Sequence, residues 1–534
     1  MKLYQARTIH SLEQDQAHTH IAIDDDGRIA AIGGAELAGQ YGAADTRFAD
    51  QVMVPGFVEG HAHAMEGVIW KLPYVGFYGR YHPDGDYVAG CDSVPALLAR
   101  LKELDASMPA DEPMFVWGYD AIYFGEDKPM RQALDSVSTQ RPIVIHHSNL
   151  HLITVNSTAL DRAGIDRDHL IDGIYTDEQG EPNGELAEMA AMFQVYNAVG
   201  NPVFGGFNDA AGLVRYGRSG RRSGVTTAAD LYNQLEPETV ATMQQVVNDQ
   251  DFPMRLVSTL GVMQVTSQAA VTRAIELRQA ASDKLRLGAV KIVTDGSIQG
   301  FSARVRQPYV NGVENGVWVA PPPAMEDMIM ACNRADIPVH VHVNGDQASD
   351  FALQAFAKAA AEHAFQVPHV LQHAQMMDSQ QLRQAKDLGL NINFFANHTY
   401  YWGDQHCQQT VGSDIASRMN PAREALDMGL VVALHSDAPV TPMGPLHVMW
   451  SAVNRVTASG ALLGPEQRIN AAEALRAITL APAITLGMEQ EIGSLAVGKR
   501  ADITVLAGDP LTVDPMAIKD IPVVATLLDG KVTH

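Results

Sequence analysis

Cysteine is scarce in this chain. Its 534 residues include three, Cys91, Cys332 and Cys407, and no CxxC pair, which excludes a thiolate zinc site and a disulfide framework. Positive charge is also short. Lys and Arg total 38 against 62 Asp and Glu, a net charge of −24. Such a surface repels nucleic acid and anionic membranes, so neither is an expected partner. No apolar stretch reaches the roughly 18 residues of a spanning helix, and the opening MKLYQARTIHSLEQ lacks the apolar h-region of a signal peptide. These absences lead to the expectation of a reducing, cytoplasmic setting. HExxH and GxSxG are missing too, which removes zincin and serine-hydrolase readings. GSLAVGK (493–499) begins like a P-loop. Arg500 stands where Ser or Thr should bind magnesium and no helical pattern follows, so it reads as a turn into the strand ADITVL.

What the chain has instead is histidine, 20 in all, so any metal would be held by imidazole and carboxylate. Hydrophobic residues make up 46% and charged residues 19%, ordinary for a globular protein, and the length exceeds one ordinary domain. Both ends read as short strands, among them KLYQART, HIAIDDDGRIAAIG and VVATLLDGKVTH, with DG-type hairpin turns. Residues 1–56 and 485–534 are therefore expected to form one small composite β-sandwich.

The middle alternates strands with helical patterns. The candidate strands are FVEGHAH (57–63), GVTTAAD (224–230), MRLVSTL (254–260), LGAVKIVTDG (287–296), IPVHVHVNGD (337–346), HVLQHAQ (369–375), LNINFFAN (390–397) and VVALHSDAP (431–439). Eight such units in series point to a (β/α)8 TIM-like barrel over 57–70 and 216–484. The fold class is α/β, with an insert at 71–215 after the first barrel strand, expected to cover the mouth. Within the insert, DSVPALLARLKELDAS is an amphipathic helix. Val94, Leu97, Leu98, Leu101 and Leu104 share a face, and Ser93 can cap its start.

Side chains two apart on a strand share a face. His61 and His63 therefore point together at the end of the first strand, where barrel enzymes keep their active sites. One such imidazole is usually structural; a pair is a metal-site signal. His340 and His342 end the fifth strand, His373 the sixth and Asp437 the eighth, so these groups converge. Imidazole and carboxylate suit zinc, manganese or iron(II). Lys291, amid apolar residues of the fourth strand, is costly unless paired. It could snorkel to the mouth or pair with Asp295, and spacing alone favours one of these. Alternatively, carbon dioxide converts it into an anionic carbamate able to bridge two metals.

The order HxH, Lys, His, His, Asp along eight strands resembles the amidohydrolase superfamily, and more narrowly the amidohydrolase 3 family in its YtcJ-like branch. The segments that carry the resemblance are VPGFVEGHAH, RPIVIHHSNLHLITVNSTAL, GEPNGELAE, GVTTAAD, VKIVTDGSIQG, VHVNGDQASD, LQHAQ, HSDAPVTPMGPL and GSLAVGKRADITVLAGDP. The resemblance implies His61 and His63 on a first metal, His342 and His373 on a second, carboxylated Lys291 as bridge, and Asp437 as first-metal ligand and proton shuttle. The H-x-x-G-D pattern selects His342, through Gly345 and Asp346, and leaves His340 structural. Two zinc ions are expected, with manganese or iron as alternatives. A metal lowers the pKa of bound water toward roughly 7. The resulting hydroxide attacks an amide carbonyl, and Asp437 moves the proton to the leaving nitrogen. His151 and His398 are candidates for contact with the substrate. Trp117 and Tyr119, with Tyr400, Tyr401 and Trp402, hint at an apolar or aromatic substituent. The expected activity is hydrolysis of a non-peptide C–N bond in a small molecule. The rivals are a deaminase or cyclic-amide or lactone hydrolase of the same superfamily, and a non-catalytic metal-stabilised scaffold. A homodimer is the common prior for soluble oligomers.

Overall fold

A computed structural model describes residues 1–13, 18–203, 209–263 and 265–533; residues 204–208 of the expected insert lie outside the described residues. The chain forms two compact units. One comprises Met1–His63, Gly217–Ala438 and Met443–His534, the other Ala64–Tyr216 and Pro439–Pro442.

In the first unit, eight parallel strands form one sheet in sequential order: Phe57–Ala62, Val225–Asn233, Arg255–Gly261, Leu285–Val293, Val339–Val343, Val370–His373, Asn391–Phe394 and Val432–Leu434. All eight expected strands are present, a few residues shorter or longer at their ends. They are rich in Val, Ile and Thr, which suit a pleated surface buried on both faces. The sheet closes at its C-terminal end. Asp437 N–H donates to His61 O at 3.1 Å, and His63 N–H to Ala438 O at 2.8 Å. A buried carboxylate adds to the closure. Glu59 accepts from Ser436 N at 3.1 Å and Ser436 Oγ at 2.6 Å. Gly56, where the chain enters the first strand, has to be glycine, because a Cβ there would lie 2.1 Å from Thr226 Oγ1.

Helices Asp346–Glu362 and Ser379–Leu388 separate the fifth, sixth and seventh strands, as their apolar periodicity predicts. The first buries Ala352, Leu353, Phe356 and Ala359. The second begins in a capping box between Asp378 and Gln381, which satisfies donors at the helix start. Both chain ends join one seven-stranded sheet. In it Asp45–Pro55 pairs with Lys2–Ile9 on one side and Ile503–Leu506 on the other. Tyr4, Ile23, Ile29, Met53, Ile503 and Leu527 from across that sheet share one core. Arg255, at the start of the third barrel strand and fully buried, forms ion pairs with Asp502 and Asp529 of the terminal segment.

The second unit holds a five-stranded sheet that includes Met114–Tyr119, Ile143–His147 and Leu152–Val155. Helix Val94–Ser107 starts where Ser93 Oγ accepts from Ala96 N–H, and it buries Leu97 and Leu101, as its periodicity predicts. Among the described residues, no helix is long and apolar enough to cross a membrane.

Candidate active site

The histidines lie at the C-terminal ends of the barrel strands. His61 is on the first strand, His340 and His342 are on the fifth, and His373 closes the sixth. His63 and Asp437 follow the first and eighth strands by a residue or a few. His373 and Asp437 reach the site through a bent backbone, with φ of +65° and +56°. Non-glycine residues rarely hold such values, and those that do cluster at functional sites. For His373 the bend has a clear use. Gln372 already faces the barrel interior, so a regular strand would turn His373 outward; the left-handed residue brings it back in.

Two groups of potential ligands share His61. The ligand atoms of His61, His63 and Asp437 lie within 4.8 Å of one another, and so do those of His61, His373 and His435. Asp437 Oδ1 is 3.3 Å from His61 Nε2 and 3.2 Å from His63 Nε2. Burial holds the His61 and His373 imidazoles well below their ordinary pKa, and Lys291 pushes both in the same direction. Burial also takes His435 down to about 3. Their rings are therefore neutral at physiological pH and offer lone pairs. Burial alone would raise the Asp437 carboxyl, but the contact with His63 and the nearby Lys291 outweigh it and keep the group below its ordinary value. The result is a carboxylate among neutral imidazoles, the donor set that fits a divalent transition ion.

A second observation supports the fit. Both ring nitrogens of His373 and His435 and Lys291 Nζ are buried without a hydrogen-bond partner. Each such atom costs roughly 1–3 kcal/mol, and a cation would satisfy the nitrogen and carboxylate lone pairs together. Lys291 is 1% exposed, so it does not snorkel. Nor does it pair with Asp295. That carboxylate accepts from the backbone N–H groups of Arg304, Asn344 and Gly345 at 2.9–3.0 Å.

His342 lies beside His373, with ring centroids 4.4 Å apart, yet it belongs to neither group of three. Its Nε2 is 3.2 Å from Gly296 O and 3.0 Å from Asn344 Nδ2. His340 sits a layer deeper, where its Nδ1 meets Gln372. His435, which sequence reasoning passed over, stacks on His61 at 4.7 Å. Its signal was visible: HSD, just after the eighth strand, repeats the spacing of two found in HAH.

His398 is buried behind this cluster. Its Nδ1 is 3.0 Å from His406 Nε2, and its ring packs on Phe395 and Trp402. Tyr400 and Tyr401 pack on His447. His151, Trp117 and Tyr119 belong to the second unit. There His151 Nδ1 lies 3.1 Å from Glu188. Trp117 is wedged edge-on against Trp70 and Tyr74, and Tyr119 stacks on Phe124.

Comparison with known proteins decides the family. The amidohydrolase family model matches residues 49–534. The chain belongs to the amidohydrolase family. It is 26% identical over 541 residues to the N-substituted formamide deformylase of Arthrobacter pascens, covering 94% of this chain and 93% of that protein. It is 25% identical over 544 residues to YtcJ of Bacillus subtilis (strain 168), described as an amidohydrolase, covering 98% of both. Among solved structures, a metal-dependent hydrolase from Pyrococcus horikoshii OT3 aligns with a TM-score of 0.72 at 18% identity, covering 96% of this chain and 99% of that one. That likeness shows the fold. This amidohydrolase is therefore a hydrolase built on the expected barrel.

Proposed function

We propose that this amidohydrolase is a metal-dependent enzyme that hydrolyses a small, non-peptide amide, of which N-formyl and N-acyl amines are the first candidates. The reading rests on one observation: two groups of potential ligands that share His61, one with the Asp437 carboxylate and each within 4.8 Å, at the mouth of a closed barrel. The near full-length likeness to a formamide deformylase supports the choice of substrate class.

His61, His63 and Asp437 would hold one ion. His373 would hold a second together with His342 or His435, and Lys291 would bridge the two. A divalent ion there supplies Lewis acidity and an activated water at neutral pH. Burial lowers the Lys291 amine to about 7, so a good fraction is unprotonated at neutral pH. That is the form that adds to carbon dioxide, with loss of one proton, to give an anionic carbamate. Asp437 accepts the proton of the attacking water and returns it to the leaving nitrogen. Its depressed pKa keeps it ready to accept. The products are an acid and an amine.

The test is an ion count on the metal-replete full chain, followed by a panel of N-formyl amines, N-acyl amines, lactams, lactones and heteroaromatic amines, with ammonia assayed. Two ions per chain with turnover of an acyclic amide is the expected result. One ion per chain with ammonia release would instead make it a deaminase. No turnover across the panel would leave a metal-stabilised scaffold.

A further inference from the structure

Four side chains from four strands form a hydrogen-bonded chain beneath the ligand cluster. Gln372 Oε1 lies 2.8 Å from His61 Nδ1 and accepts from Asn393 Nδ2 at 3.0 Å. Gln372 Nε2 lies 2.8 Å from His340 Nδ1. His61 is on the first barrel strand, His340 on the fifth, Gln372 on the sixth and Asn393 on the seventh. All four are buried, and Gln372 and Asn393 are fully so.

With His61 holding an ion through Nε2, and with the Gln372 and Asn393 amides placed as they are, one set of roles is consistent. A primary amide nitrogen can only donate and its oxygen can only accept. The Asn393 amide donates to Gln372 Oε1, which places the Gln372 Nε2 donor against His340. His340 must then present a bare Nδ1. Gln372 Oε1 has capacity for a second donor, and His61 Nδ1–H supplies it. The proton of His61 is thereby held on Nδ1, which leaves the Nε2 lone pair facing Asp437 and the cluster. Close packing holds the amide in place: a Cβ at Gly60 would lie 3.1 Å from Asn393 Nδ2. A metal-ligating imidazole generally donates its other N–H to an acceptor that fixes its tautomer, and such partners are worth about 10–100-fold in metal affinity.

We propose that Gln372 is a positioning residue that locks the His61 tautomer for metal binding, and that His340 and Asn393 serve to orient the Gln372 amide. The proposal rests on the reading of His61 as a metal ligand. It also gives His340, the first histidine of VHVHV, a function other than ligation.

The test uses the full chain and zinc. Gln372→Leu removes the acceptor and is expected to weaken zinc binding about 10–100-fold in competition with a chelator. Gln372→Glu keeps an acceptor facing His61 Nδ1 and is expected to restore affinity to within about threefold of the parent, on the same scale. A purely structural role would not be rescued in this way. Leu binding zinc like the parent, or Glu as weak as Leu, would overturn the proposal. A readout that needs no Gln372 variant is ¹⁵N-histidine NMR of the metal-stripped parent, with His61 assigned by His61→Gln. The expected spectrum shows Nδ1–H and a bare Nε2, and a proton found on Nε2 would refute the lock. Should the parent bind no zinc yet show that tautomer, the metal reading falls and the hold of Gln372 on His61 stands.

Discussion

Lys291 provides the sharpest test of the idea that this site was built for a cation, because it predicts a gain. The amine is 1% exposed, its Nζ has no hydrogen-bond partner, and burial lowers its pKa from 10.5 to about 7. Without metal and carbon dioxide the residue is a liability. An orphaned buried donor costs roughly 1–3 kcal/mol. The fall in pKa, taken at about 1.4 kcal/mol per pH unit, sets an upper figure of about 5 kcal/mol at or below neutral pH. Lys291→Met fills the same space with a side chain that needs no partner. The metal-stripped variant should therefore melt higher than the metal-stripped parent, by about 1–2 °C per kcal/mol for a cooperative unit of several hundred residues. The sign with pH follows from linkage. The folded pKa lies below the unfolded one, so the penalty is complete below about 7 and fades as pH rises toward 10.5, where both states are neutral. The stability difference between variant and parent should shrink over that window. Adding zinc and bicarbonate should reverse the ranking, stabilising the parent and leaving the variant insensitive to bicarbonate. Calorimetry or fluorescence melting at several pH values reads all of this. A metal-stripped Lys291→Met chain that melts below its parent at pH 7 would refute the reasoning, because the lysine would then be making net favourable contacts.

Three further outcomes are expected. Asp437→Asn keeps an oxygen near His61 and His63 but cannot take a proton, so metal content should hold while turnover falls about 10²–10⁴-fold; parent-like rates would remove Asp437 from the mechanism. His435→Phe retains a ring to stack on His61 but offers no nitrogen, and it should weaken metal binding at least about tenfold in chelator competition; unchanged affinity would mark His435 as packing. Arg255→Met strands the buried Asp502 carboxylate and should cost about 3–5 kcal/mol, read as a lowered urea midpoint. Asp502→Asn in that background should recover part of the loss.

The barrel was legible because its signals are local. The strands show as short runs of mainly apolar or β-branched residues, and the helices between the fifth, sixth and seventh strands show as apolar periodicity. HAH, VHVHV and HSDAP mark strand ends because a period of two puts alternate residues on one face. The insert helix announces its own cap at Ser93. Other features depend on partners far along the chain. Glu59 reads as a stray carboxylate within a buried strand until Ser436 is seen closing the barrel across from it. Gln372 reads as a spacer in LQHAQ until His61 and His340 are seen on either side of it.

By itself the sequence determined which residues could meet at one end of a barrel, since alternation and order along the chain settle which strand ends carry imidazole, amine and carboxylate. Only the tertiary structure decided how they meet. It stripped Lys291 of partners, brought His435 into the cluster and drew His342 toward Gly296 and Asn344. It also turned His373 inward through a left-handed residue. The reason is physical. Direction along a strand follows from the local backbone, whereas a neighbour's donor or acceptor, and the loss of water around it, exists only once distant strands close on each other.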